Sequence, residues 1–123
     1  MAKILIVEDN PDNMKLFTAV LSIRGHRVVG LPGGEGLLPT MQAETPDVVL
    51  LDIQLPGEDG FQLLEKLRAA HGAALAPVVA LTAHAMSGDR EKALHAGFSG
   101  YLTKPIDVST FASSVEAFLH HAG

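Results

Sequence analysis

Cysteine is absent from the 123 residues, which removes disulfides and thiolate metal ligands together. Nor does the chain open like a secretory leader, because Met1-Ala2-Lys3 runs straight into a short strand-like stretch with no long apolar segment and no cleavage site. No apolar run approaches the ~20 residues that cross a bilayer, so no membrane association is expected. These absences point to the cytoplasm. A basic excess is missing as well: the net charge is -5 at pH 7, and no cluster of Lys and Arg offers a footprint for a phosphate backbone. Protein partners are therefore expected, with no direct nucleic-acid contact. Repeats, low-complexity tracts and linkers are also lacking. What is present suits one folded domain over 1–123, with 47% hydrophobic and 19% charged residues and enough length to bury a single core.

Apolar runs alternate with helical patterns five times, at 3–7, 27–31, 47–52, 77–82 and 100–103. Runs without polar alternation belong to strands buried on both faces, and their alternation with helices predicts a parallel α/β sheet. The first helix is predicted to take Asn10 as N-cap and Pro11 at its first position, to bury Met14, Phe17, Val20 and Leu21, and to stop at Gly25. Between the second and third runs, Gly30, Gly33, Gly34, Gly36, Pro32 and Pro39 oppose a long helix, so a short one is expected from about Pro39. Asp59 and Gln62 stand at capping-box spacing before Phe61, Leu64 and Leu67. A thin apolar stripe over 86–95, ending at Gly97, predicts a shallowly packed fourth helix that could move. In the last helix Asp107 is the expected cap, with Val108, Phe111, Val115 and Phe118 as a core stripe.

Charged residues stand at the ends of three of these runs: Glu8 and Asp9 after the first, Asp52 closing the third, Lys104 after the fifth. Ligands of open parallel sheets bind at the carboxyl ends of the strands, so these residues are expected to converge. Three carboxylates in one crevice repel one another and tend to hold a divalent cation or share a proton. Each residue also has a plainer reading. An acidic residue at a strand end is often only a helix N-cap, as Asp9 alone could be; Lys104 before a proline could be a surface lysine, and Thr82 an ordinary β-branched strand residue. Convergence of all of them is what those readings leave unexplained. The six histidines form no ligand-like cluster; His120 and His121 are adjacent in the chain and point apart on a helix.

In order and spacing these residues resemble the receiver domains of bacterial two-component response regulators, across essentially the whole chain. The resemblance rests on Glu8-Asp9, Asp52-Ile-Gln-Leu-Pro-Gly, Leu81-Thr-Ala-His-Ala-Met86 and Lys104-Pro105, and is similar in detail to the stand-alone regulators of cell-cycle phosphorelays. It implies a flavodoxin-like, doubly wound sheet of five parallel strands in the order 2-1-3-4-5 with five flanking helices, the second short or irregular. It makes Asp52 the phosphoacceptor, Thr82 the switch hydroxyl, Tyr101 the switch aromatic, and Lys104 a phosphoryl ligand with a cis-proline neighbour. A carboxylate attacking a phosphoryl group must overcome the repulsion of two anions, which calls for a divalent cation such as Mg²⁺. Asp9 and Asp52 are its expected side-chain ligands; by resemblance Gln54 adds a backbone carbonyl and Glu8 acts through water. Thr82 and the N–H of Ala83 would hold another phosphoryl oxygen. Gln54 and His84 occupy the positions that flank the phosphoryl group and tune its lifetime.

The partners implied are a sensor histidine kinase or histidine phosphotransfer protein and a downstream target protein. With no output domain expected after Phe118, action through protein contacts or onward phosphotransfer is expected rather than an enzyme's turnover. The same module excised from a hybrid kinase or larger regulator is the alternative within this chemistry. A haloacid-dehalogenase-type hydrolase would want a second Asp where Gln54 stands, and a flavodoxin-type nucleotide binder would place an anion-cradling loop where Glu8-Asp9-Asn10 repels phosphate.

Overall fold

Residues 4–7, 48–52 and 78–82 are buried throughout, although successive side chains of a strand point to opposite faces, so both faces of their sheet must be covered. The computed structural model describes residues 2–55, 57, 59–83 and 89–119 and shows that arrangement. The strands are β1 (Lys3–Val7), β2 (Arg27–Leu31), β3 (Val48–Asp52), β4 (Val78–Thr82) and β5 (Gly100–Thr103). They pair in parallel in the order β2-β1-β3-β4-β5. Between and after them run α1 (Pro11–Ile23), α2 (Leu37–Glu44), α3 (Gly60–His71), α4 (Asp89–Ala96) and α5 (Val108–Leu119). This is the flavodoxin-like sheet that the resemblance implied, and the apolar residues divide between its faces by parity. Leu5, Val7, Val49, Leu51, Val78 and Ala80 pack with residues of α2, α3 and α4. Ile4, Ile6, Val48, Leu50, Val79 and Leu81 pack with Phe17 and Leu21 of α1 and Phe111, Ala112 and Val115 of α5.

Local chemistry explains most element ends. The Asn10 side chain accepts from the N–H groups of Asp12 and Asn13, Pro11 stands at the start of α1, and Gly25 turns the chain away at φ 87°. Asp59 caps α3 by accepting from the N–H of Phe61 at 2.8 Å. β3 and β4 each begin one residue later than the sequence suggested. The Asp47 carboxylate accepts from the N–H of Lys3 at 2.8 Å, and Pro77 has no N–H to donate to a ladder.

Three expectations need correction. α2 begins at Leu37 rather than near Pro39; proline is tolerated within a first turn, whose N–H groups have no intrahelical partner. The buried face of α3 includes Leu63 beside Leu64 and Leu67, while Phe61 is half-buried. Val108, predicted as core, is 56% exposed, because a periodic stripe is buried only where another layer lies beneath it, and in α5 that layer meets Phe111, Ala112 and Val115. α4 does carry little apolar surface inward, Ala93 being buried and Leu94 43% exposed. The part of its predicted span before Asp89 lies outside the described residues, as do His84, His120 and His121. Among the described residues no helix is long and apolar enough to cross a membrane.

Candidate functional site

Register brings the charged strand ends together. Val7 pairs with Leu51, so Glu8, the next residue, lies level with Asp52, which itself pairs with Leu81. Thr82 pairs with Thr103, placing Lys104 one step beyond the edge of the sheet. β5 is separated from β3 by β4, roughly 10 Å at the usual strand spacing, and the long lysine stem covers that gap. Lys104 Nζ donates to Asp52 Oδ2 at 2.7 Å and to Glu8 Oε1 at 2.9 Å. The root of Lys104 is fixed by its own N–H, which donates to the Thr82 carbonyl at 2.8 Å, and by a cis peptide bond to Pro105.

The two carboxylates that Lys104 joins are buried, Glu8 at 2% and Asp52 at 1% exposure, whereas Asp9 is exposed. Glu8 Oε2 accepts from the N–H of Asn10 and Asp52 Oδ1 from the N–H of Gln54, at 3.0 and 2.8 Å. Asn10 is the α1 cap, which leaves Asp9 without the capping role that an acidic residue at that position could have had. Burial pushes the Glu8 carboxyl above its ordinary pKa, against the lowering effect of the Asn10 N–H and of Lys104; the charge of Asp52 adds to the rise. For Lys104, burial acts to lower the pKa, but the hydrogen bonds and charges of Asp52 and Glu8 together outweigh it and the net shift is upward. Two buried carboxylates thus share one ammonium with Asp9 beside them, a negative excess that a proton or a divalent cation can relieve.

One oxygen each from Glu8, Asp9 and Asp52 lies within 4.8 Å of the others. Opposite ligands of an octahedral Mg²⁺ are about 4.2 Å apart, so small side-chain adjustments suffice, and the all-oxygen donor set is what a hard cation takes. The residues present therefore fit Mg²⁺. Thr82, 1% exposed, closes β4 beside Asp52, and the next backbone N–H, that of Ala83, donates to the Gln54 side-chain oxygen at 3.0 Å. Tyr101, on the edge strand β5, is half-buried against the α2–α3–α4 face of the core, a position that needs no switching role to explain it. Sequence reasoning missed Lys92. Its ammonium lies 5.2 Å from the Phe61 ring centroid, and both residues line a cavity of about 180 Å³ with Ile53, Gln54 and Thr82. No local signal marks a helical lysine as facing a site; only the packing of α4 against α3 does.

The profile of the response regulator receiver domain family matches residues 4–116. The chain belongs to that family. This receiver domain is 40% identical over 116 residues to the sensor protein GacS of Pseudomonas syringae pv. syringae, covering 92% of this chain and 13% of that protein. It thus spans only a small part of the sensor kinase it matches. The polar-differentiation response regulator DivK of Brucella ovis is 35% identical over 119 residues, with 97% of each chain covered. Among solved structures, the receiver domain of a sensor histidine kinase from Pseudomonas aeruginosa PAO1, with a magnesium ion coordinated in its active-site cleft, superposes with a TM-score of 0.84 at 34% identity, covering 97% of this chain and 98% of the other. Membership makes the chain a signalling module of the two-component class, with an acidic pocket suited to Mg²⁺ and to phosphorylation of an aspartate.

Proposed function

We propose that the chain is a single receiver domain that accepts a phosphoryl group on Asp52 from a phosphohistidine of a sensor kinase or phosphotransfer protein, and that the acyl phosphate alters its binding to a downstream protein. The observation that carries this is the bridge from Lys104 to Asp52 and Glu8, beside a carboxylate triad with the spacing of a metal site. When bound, Mg²⁺ supplies positive charge that lets an anionic nucleophile meet an anionic phosphoryl group. Asp52 presents a carboxylate oxygen to phosphorus, and the bond to the donor breaks with its electron pair leaving on the donor. Glu8, Asp9, Asp52 and the Gln54 carbonyl would hold the cation, Glu8 through water. Lys104 takes one phosphoryl oxygen; Thr82 and the Ala83 N–H take another. Thr82 moving toward that oxygen leaves room for Tyr101 to turn inward, which shifts the population between two states of the α4–β5–α5 surface. Turnover of an external substrate has no part in this cycle, which the chain completes by transfer or by its own dephosphorylation, with Gln54 and His84 tuning the lifetime.

The similarity to DivK over 97% of each chain supports a stand-alone regulator, and that to GacS a receiver carried on a kinase. In either setting partners are proteins rather than nucleic acid or membrane. The reading is tested by incubating the protein with Mg²⁺ and acetyl phosphate and mapping the modification. Labelling confined to Asp52, abolished by EDTA and by Asp52→Asn with the fold intact, is expected; equal labelling of Asp52→Asn would overturn it.

A further inference from the structure

Gln54 touches both sides of the site at once. Its backbone N–H donates to Asp52 Oδ1 at 2.8 Å, and its side-chain oxygen accepts from the N–H of Ala83 at 3.0 Å. The β3–α3 and β4–α4 loops are thereby joined through the residue whose N–H holds the acceptor carboxylate. Because an N–H must face an acceptor, the bond to Ala83 also decides which end of the carboxamide is oxygen. The Ala83 N–H is the first backbone donor past the end of β4, the one that receives a phosphoryl oxygen in the mechanism above.

We propose that the Gln54 carboxamide is an internal stand-in for that phosphoryl oxygen: it holds the Ala83 N–H in the unphosphorylated protein and must be displaced when phosphate arrives. The inference rests on the phosphoacceptor reading and adds a competition to it. One N–H directs one strong hydrogen bond, so the amide oxygen and the phosphoryl oxygen exclude each other. With acetyl phosphate as donor, an Asp52 carboxylate oxygen forms the new O–P bond as the bond from phosphorus to the acetyl oxygen breaks; acetate leaves with the electron pair, and no proton is transferred. The charged phosphoryl oxygen is the stronger acceptor and takes the Ala83 N–H. The released carboxamide has somewhere to go. The cavity of about 180 Å³ next to it holds several water volumes, and Lys92 on its wall offers an ammonium to the freed oxygen. In the resting state that ammonium is parked over the Phe61 ring, a weak attachment that a hydrogen bond can replace.

Competition has a direction. Gln54→Ala removes the occupant, and a net protein hydrogen bond corresponds to about a 2- to 10-fold gain in affinity for a phosphoryl mimic. Gln54→Glu puts a charged, stronger acceptor on the same N–H and repels the anion, so affinity falls about 10-fold or more. The test titrates wild type, both variants and Asp52→Asn with beryllofluoride in Mg²⁺ by NMR, and follows Ala83 amide exchange in the metal-free proteins. Tighter binding by Gln54→Ala, weaker binding by Gln54→Glu, and faster Ala83 exchange in resting Gln54→Ala than in wild type are expected. If wild type binds and Asp52→Asn does not, yet Gln54→Ala binds equally or more weakly, or its Ala83 exchange is unchanged, the competition is refuted while the phosphoacceptor reading stands. If wild type fails to bind, that reading falls first and this inference with it.

Discussion

Lys104 and Asp52, held at 2.7 Å, place the ammonium of an edge strand against the buried carboxylate of the central one. The same ammonium serves Glu8, so removing it leaves two buried carboxylates facing each other. Lys104→Met is expected to destabilise the metal-free protein by on the order of 2 kcal/mol, less than the ~3–5 of a fully buried pair because the ammonium keeps some contact with water. Mg²⁺ should raise the melting temperature of the variant more than that of wild type, since the cation replaces the missing charge. Thermal melts with EDTA and with excess Mg²⁺ check this; an equal Mg²⁺ increment in both proteins would contradict it.

Gly57, in the β3–α3 loop, and Gly60, the first residue of α3, are expected to respond differently to a methyl group. At Gly60 a Cβ would come within 2.5 Å of the Ile53 Cα, a backbone atom that cannot step aside without moving the loop that follows Asp52. Gly57 has open space but a φ of +72°, which costs an alanine about 1–2 kcal/mol of backbone strain and disturbs nothing else. Gly60→Ala should cost about 1–3 kcal/mol and also slow labelling by acetyl phosphate, whereas Gly57→Ala should change stability alone. Chemical denaturation paired with labelling rates separates the two.

The apolar stripe of α5 is expected to behave as two parts. Phe111 is buried and stacks on Phe17 with ring centroids 5.2 Å apart, so Phe111→Ala should lose about 3–5 kcal/mol. Val108, at 56% exposure, should tolerate alanine within about 0.5 kcal/mol. Urea midpoints of the two variants decide whether the sequence periodicity or the observed packing describes this helix.

Acid response offers a further check, because Glu116 and Glu8 act with opposite sign. Hydrogen bonds from Arg24 and then His26 hold the Glu116 carboxyl at about 2, below its ordinary 4.5. In that interval the unfolded chain binds more protons than the native one, so the contribution of Glu116 is present above pH 4.5 and is lost as pH falls toward 2. Glu8, with its pKa raised by burial, contributes stability that is full below pH 4.5 and is lost as pH rises through its folded value. Wild type should melt higher than Glu116→Gln at neutral pH, and the difference should close between pH 4.5 and 2. A difference that stays constant across that range would refute the assignment.

Much of the fold was legible because strand and helix signals are local. Pro11 after Asn10, and Gly25, mark the ends of α1 by their own chemistry and are used as expected, while Asp59 caps α3 through the N–H of Phe61. Legibility faded where burial depends on a neighbour: Phe118 is half-buried as part of the second core cluster and Val108 is not, although both fit one helical period.

By itself the sequence determined that Glu8, Asp52, Thr82 and Lys104 stand at the carboxyl ends of strands, since each closes or directly follows an apolar run of strand length. A strand end has a fixed polarity in a parallel sheet, so their shared edge followed from pattern alone. Tertiary structure decided which of them touch. It buried Glu8 and left Asp9 exposed, and it carried Lys104 across 52 and 96 positions of chain to its two carboxylates. It also set the Gln54 side chain on the Ala83 N–H and Lys92 over Phe61. Such contacts depend on strand order, loop path and side-chain rotamer, which non-local packing sets and no short window of sequence encodes.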